Sequence, residues 1–299
     1  MRNGGHVTSR PVPDAPAFNL FISAWEPAPA RLPEDVCVWA IGDVHGHLRH
    51  FDALMAAIEE LMAAAPAGKR HVVTLGDYID RGPDSLGVLK RIAALDLPGA
   101  SVTCLGGNHE DYLRDALEGV GADDAFFDFW MANGGLPTLE SLGFTFDEMR
   151  RQGGAATLKA LRDRPMPEVR RALERLKLGL RIGGYLFVHA GVHPHHPLEH
   201  SEHQRLTTIR QPFLDGDHWM HDFAVVHGHS IVGPDLAAHR VSVDSGAYWT
   251  GVLTAVELRG ARARFIAVTP QDSLDALRKI QGRRPLASES WRMMNPVPA

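Results

Sequence analysis

The chain has seventeen histidines and two cysteines among 299 residues, and many of the histidines stand beside Gly, Asp or Asn where apolar runs end. Five short segments hold the residues that could do chemistry: Gly42-Asp43-Val44-His45-Gly46, Gly76-Asp77-Tyr78-Ile79-Asp80-Arg81-Gly82, Gly107-Asn108-His109-Glu110, Val188-His189-Ala190-Gly191 and Val226-His227-Gly228-His229-Ser230. Each alone has an ordinary explanation, a glycine for a turn, a carboxylate or amide capping a helix, a histidine packed in a core. Together they make a ligand set. Asp43 and His45 can reach one ion from a single turn. Asp77 has two carboxylate oxygens and can bridge two ions, and Asn108, His189 and His229 complete the second site. Oxygen and imidazole donors without thiolate suit Mn²⁺, Fe or Zn²⁺ rather than a structural cysteine zinc site. Two such ions roughly 3.5–4 Å apart can share a hydroxide and clamp an in-line phosphoryl displacement. With only Asp43 and Asp77 anionic, the site keeps positive charge for a phosphate dianion.

The pattern of apolar residues shows what must position these groups. Val36–Ile41 reads as a strand ending at Gly42-Asp43, and Leu48, Phe51, Leu54, Met55 and Ile58 then recur at helical spacing. His71–Leu75 is a second strand, Leu86, Leu89, Ile92 and Leu95 mark a helix, and Ser101–Leu105 is a third strand. This order predicts right-handed βαβ units and a largely parallel sheet. Residues 109–180 read as helical, with an insertion at about 121–180, and strands return at Tyr185–His189, Ala224–His227, Arg240–Val243, Val252–Leu258 and Ala263–Val268. A helix is expected at Ser273–Ile280. Residues 1–34 read as an extended lead-in, 35–283 as the domain and 284–299 as a loose tail. Open α/β sheets gather ligands beyond the carboxyl ends of their strands, so residues nearly 190 positions apart can converge.

Composition excludes several classes. Hydrophobic residues at 44% and charged residues at 22% exclude a disordered chain. A formal net charge of −5 gives no footprint for nucleic acid or an anionic membrane, and no apolar run approaches the roughly 20 residues of a membrane span. Phe18–Trp25 is short and interrupted by Asn19, so no signal peptide is expected. Cys37 and Cys104 lie in apolar runs and read as buried free thiols of a cytoplasmic protein. Oligomeric state is not legible.

The ordered set Gly-Asp-x-His-Gly, Gly-Asp-x-x-Asp-Arg-Gly, Gly-Asn-His-Glu, His-Ala-Gly and Gly-His-Ser resembles the calcineurin-like metallophosphoesterases over about residues 35–258. Asp80-Arg81 points to their PPP-type serine/threonine protein phosphatase branch, including the bacterial and phage enzymes. The resemblance implies an α/β fold, an αββα sandwich of two mixed sheets flanked by helices, with a helical insertion. It implies Asp43, His45 and Asp77 on the first metal and Asp77, Asn108, His189 and His229 on the second, most simply Mn²⁺, with Fe or Zn as alternatives. His109 would protonate the leaving oxygen, with Asp80 orienting it and stabilising its charged form. Arg81 and Arg210 would grip the phosphate, and an ion-bound hydroxide would attack directly, without a phosphoenzyme.

The implied substrate is a phosphoserine or phosphothreonine protein, or a small phosphorylated molecule. A diadenosine tetraphosphatase or other nucleotide pyrophosphatase is the alternative, in which Ala tends to precede the Arg and Asp to follow Gly-Asn-His; here Asp80 and Glu110 stand there. A non-catalytic metal-binding module would need neither Asp80, Arg81 nor His109. Two positions depart from the protein phosphatase pattern and a third fits it. Gly106 replaces the usual Arg, Thr208 stands where Trp is usual before Arg210, and Ile231 stands where other metallophosphoesterases have a further histidine.

Other features have simpler readings. The His-rich loop 193–203 reads as a solvated proline-rich loop near the mouth of the site, with an auxiliary metal site or a substrate-contacting rim as the alternative, and His227 reads as support for the ligands. Val243-Asp244-Ser245-Gly246 reads as a turn near the metals and Tyr248 as a packed strand residue, with reach into the cleft as the alternative. The basic run from Arg162 to Lys177 reads as a solvated face that could line a groove if the insertion caps the site.

Overall fold

The computed structural model describes residues 18–200, 203–216, 218–271 and 291–294. Its centre is β3 (Val36–Ile41), buried at all six positions because both of its faces are covered. Cys37, Trp39 and Ile41 pack towards helices, while Val36, Val38 and Ala40 pack towards a second sheet. That alternation sets the layers as helices, sheet, sheet and a thin outer cover.

The first sheet comprises β1 (Phe18–Ser23), β2 (Glu26–Pro27), β3, β4 (Lys69–Thr74), β5 (Ser101–Cys104), β11 (Leu253–Arg259), β12 (Arg262–Pro270) and β13 (Trp291–Met293). Its order is β13-β1-β12-β11-β3-β4-β5, with β2 on β12. The second comprises β6 (Gly179–Ile182), β7 (Tyr185–Val188), β8 (Ala224–His227), β9 (Asp235–Leu236) and β10 (Arg240–Ser242), in the order β6-β7-β8-β10-β9. Both sheets are mixed. The parallel portions are β3-β4-β5 and β7-β8-β10, and the flanking strands run antiparallel. A largely parallel sheet therefore holds only for the βαβ units, because β11 and β12 form a hairpin that adds antiparallel strands.

Helices α1 (Leu48–Ala63), α2 (Ser85–Ala93) and α3 (Asn108–Glu118) follow β3, β4 and β5 in turn. The insertion adds α4 (Asp124–Ala132), α5 (Leu136–Ser141), α6 (Phe146–Gln152), α7 (Gly154–Asp163) and α8 (Pro167–Arg175). Trp130, Leu139, Phe144, Leu158 and Leu161 of that segment share one apolar core with α1, α2 and α3, so the insertion is part of the domain. Two short helices, α9 (His203–Thr208) and α10 (Ala247–Thr250), complete the described set.

Two segments expected outside the domain lie within its sheet. Residues 18–23, expected in the lead-in 1–34, form a wholly buried strand paired with Pro270 to Ile266. Residues 291–293, expected in the loose tail 284–299, pair with the other edge of β1. Both are short and gain their order from long-range pairing, which leaves no local period to read. Residues 1–17 and the helix expected at Ser273–Ile280 lie outside the described residues. Among the described residues, no helix is long and apolar enough to cross a membrane.

Candidate metal centre

The loops after β3, β4, β5, β7 and β8 bring the expected ligands together. Their backbones pay little heed to ordinary preference: His45, Asp77, Asp80, Arg81 and His229 have φ of 44, 51, 69, 68 and 60°. Outside these five, His218 is the remaining non-glycine residue with positive φ among those described. Such strain collects where a site over-determines the chain.

Asp77 is the hub. Its Oδ1 lies 3.3 Å from His189 Nε2 and accepts the His109 backbone N–H at 3.2 Å, while Oδ2 lies 3.7 Å from His45 Nε2 and 3.9 Å from His109 Nε2. Two groups of donor atoms share it, one with His45 and His109 and one with His189 and His229, each within 4.8 Å. Asn108 presents its Oδ1 3.3 Å from His189 Nε2, since its Nδ2 donates to the Tyr112 hydroxyl at 3.0 Å. Asp43 joins from β3, both oxygens accepting the His229 N–H, at 3.2 and 3.0 Å.

The rings are aimed from behind. His45 Nδ1–H donates to the Ile79 carbonyl and His189 Nδ1–H to the Leu75 carbonyl, each at 2.7 Å. Each ring so held turns its Nε2 towards Asp77, the arrangement by which outer hydrogen bonds orient metal-binding histidines. Burial, then the charge of Asp244, pushes Asp43 well above the carboxylate range. Burial also opposes ionisation of Asp77, but His189, His109 and His45 outweigh it and hold Asp77 well below that range. Burial, then His189, lowers His229 to about 3, so its ring is neutral and can donate a lone pair. Buried carboxylates and convergent ring nitrogens fit cations that prefer oxygen and nitrogen donors.

The groups expected to meet phosphate lie at the two ends of the cluster. Arg81 Nη1 is 2.7 Å from His45 Nε2, and its guanidinium lies 4.5 Å from the centre of the Tyr248 ring. Arg210 Nε is 3.2 Å from His229 Nε2. His109 Nδ1 lies 2.6 Å from Asp80 Oδ2, in a pair that is almost wholly buried.

Several supporting contacts were not evident in the sequence. Glu110, fully buried, accepts N–H groups from Gly107 at 2.9 Å, Asp77 at 2.9 Å and Tyr78 at 2.7 Å, tying the loops after β4 and β5 together. Burial, then Asp77, lifts it to about 7. Trp130 and Thr138 of the insertion both bond the Asp80 carboxylate. A buried Trp needs a partner for its N–H, and that was the available signal. Tyr248, read either as packing or as reaching the cleft, stands beside both His45 and Arg81.

Other expected features stand apart from the two donor groups. His227 is bonded to Ser242 Oγ at 2.9 Å, and burial lowers it to about 3. His193 and His196 stack on one another at 3.8 Å, and His203 pairs with Asp111 at 3.0 Å. Arg162, Arg164 and Arg175 donate to backbone carbonyls of Ala116, Leu142 and Leu95, which makes them braces of neighbouring segments. Asp244 accepts the Gly246 N–H at 2.8 Å and forms the expected turn, where burial raises it to about 6.

Comparison with known proteins gives one family and two kinds of relative. The calcineurin-like phosphoesterase pattern matches residues 38–257. Serine/threonine-protein phosphatase 1 of Salmonella typhimurium is 35% identical over 98 residues, which cover 33% of this chain and 38% of that protein. The asymmetrical bis(5'-nucleosyl)-tetraphosphatase PrpE of Oceanobacillus iheyensis is 23% identical over 246 residues, covering 76% of this chain and 90% of that one. A solved structure assigned only provisionally as a diadenosine tetraphosphatase superposes with a TM-score of 0.50 at 22% identity, over 78% of this chain and 96% of its own, and shows the shared fold.

Proposed function

The chain belongs to the calcineurin-like phosphoesterase family, and on that basis we propose that it is a two-ion phosphomonoesterase acting on phosphoserine and phosphothreonine in proteins. The observation that carries this reading is the buried Asp80–His109 pair at 2.6 Å. A serine or threonine alkoxide is a very basic leaving group and needs a proton as the P–O bond breaks. A nucleotide phosphate, with a second pKa of about 6, leaves readily without one. A built proton donor is therefore most useful for an alcohol leaving group.

Asp43, His45 and Asp77 would hold one ion, and Asp77, Asn108, His189 and His229 the other. When bound, the ions, for which Mn²⁺ is the favoured identity ahead of Fe or Zn, supply charge neutralisation and an activated water. The protein's own groups do the rest. Arg81 and Arg210 hold the non-bridging phosphoryl oxygens, and His109 presents Nε2 to the leaving oxygen while Asp80 fixes its Nδ1. The partner is then a phosphoprotein or small phosphorylated molecule, with no nucleic acid or membrane involved. The free buried thiols Cys37 and Cys104 suit a cytoplasmic setting.

Nucleotide pyrophosphate cleavage is the second reading, favoured by the long alignment with the Oceanobacillus tetraphosphatase. Leaving-group dependence tests the first. With Mn²⁺ present, His109→Ala should lose about 100-fold or more on a phosphoserine peptide and far less on p-nitrophenyl phosphate, whose phenolate leaves unaided. Equal losses on both substrates would remove His109 as proton donor and leave the pyrophosphatase reading the stronger.

A further inference from the structure

The carboxylate of Asp80 is fully buried, and apart from His109 its side-chain donors come from the helical insertion. Trp130 Nε1–H of α4 donates to Oδ2 at 2.9 Å, and the Thr138 hydroxyl of α5 donates to Oδ1 at 2.6 Å. The direction of the remaining bonds follows from counting protons. Thr138 has one hydroxyl proton, already given to Asp80, so its 2.9 Å contact with Ser85 Oγ is donated by Ser85. The Thr138 and Ser85 oxygens accept the Asp80 backbone N–H at 2.9 and 3.1 Å. Asp80 holds φ of 69°, which a non-glycine residue keeps only when its surroundings enforce it.

We infer that Trp130 and Thr138 are positioning residues for the proton donor, an inference that rests on the acid role proposed for His109. An ionised carboxylate only accepts hydrogen bonds and can turn about its terminal torsion. A donor on each oxygen stops that turn. Oδ2 is then held against His109 Nδ1, and Nε2 is left facing the centre. The turn between α4 and α5 also seats the phosphate-binding arginine, since Arg81 N–H donates to the Gly134 carbonyl at 2.9 Å. The insertion thus supports both proton transfer and phosphate binding from behind the site.

The test uses the Mn²⁺-loaded, full-length enzyme with a phosphoserine peptide and p-nitrophenyl phosphate. Trp130→Phe keeps an aromatic ring and removes the N–H, and Thr138→Val keeps the shape and removes the hydroxyl. Each should lose about tenfold or more on the peptide and at most about twofold on p-nitrophenyl phosphate, with metal content unchanged. Thr138→Ser should restore most of the peptide rate. Thr138→Val should add almost nothing in a His109→Ala background, because the two would act through one proton transfer. Equal losses on both substrates, or additive losses in the double variant, would overturn the positioning role. If His109→Ala shows selectivity and Thr138→Val does not, this inference alone fails. If His109→Ala shows none, the acid reading fails with it. Should Trp130→Phe not fold, the Thr138 Val and Ser pair decides.

Discussion

Asp77 and Arg81 stand four positions apart on one loop and face the same centre, yet their surroundings assign them different tasks. Asp77 is buried, and its oxygens lie 3.3 Å from His189 and 3.7 Å from His45, so it belongs to both donor groups. Arg81 approaches from outside, resting on Tyr248 and reaching His45 by its guanidinium. Asp77→Asn should therefore lose bound metal and turnover together. Arg81→Ala should keep its metal and lose about 2–4 kcal/mol of transition-state stabilisation, the usual effect of removing one electrostatic clamp. Metal analysis alongside kcat/KM separates the two. Equal metal loss in both variants would erase the distinction between ligand and clamp.

At the scale of elements, the short join between α4 and α5 bears on the site most directly. Gly135 has ordinary helical dihedrals, φ −69° and ψ −20°, so its need to be glycine is one of space. A Cβ there would meet Trp130 Cδ1 at 2.7 Å and Nε1 at 2.8 Å. Gly135→Ala should push the indole off Asp80 and cost about 1–3 kcal/mol of stability, as overpacking does, with peptide turnover falling further than p-nitrophenyl phosphate turnover. Urea unfolding beside the two assays checks this, and unchanged stability and rates would contradict it. The donor residues that these loops gather are legible in the sequence because each lies just beyond a strand and, His189 apart, sits beside a glycine. The Asp80 supports were not, since Trp130 and Thr138 bond to it across 50 and 58 positions from helices whose pattern reads simply as core. The edge strands escaped for a related reason. Phe18–Ser23 finds its partners at Ile266 to Pro270 and at Trp291 to Met293, and no local period announces such pairing.

For the whole molecule, β1 and α1 meet at His50, which ties the N-terminal strand to the domain. His50 packs edge-on against Phe18 with ring centres 4.9 Å apart, and its Nε2 is buried without a hydrogen-bond partner. Burial, then the neighbouring His47, lowers it from 6.5 to about 4. Its neutral form is favoured on folding, so its contribution is complete above pH 6.5 and is lost as pH falls towards 4. By pH 5 the loss should reach about 2 kcal/mol. Urea unfolding of wild type and His50→Gln at pH 7 and pH 5 checks it, the variant being expected to show the shallower dependence; matching slopes would contradict it. The two sheets, the insertion and the five loops that gather the donor residues bear on one question, which leaving group the proposed reaction serves. The most direct measurement is a side-by-side initial-rate assay of the Mn²⁺-loaded enzyme on a phosphoserine peptide and on diadenosine tetraphosphate. Faster phosphate release from the peptide is the predicted result. Preferential cleavage of the dinucleotide would contradict the phosphomonoesterase account and move this metal centre to nucleotide pyrophosphate chemistry.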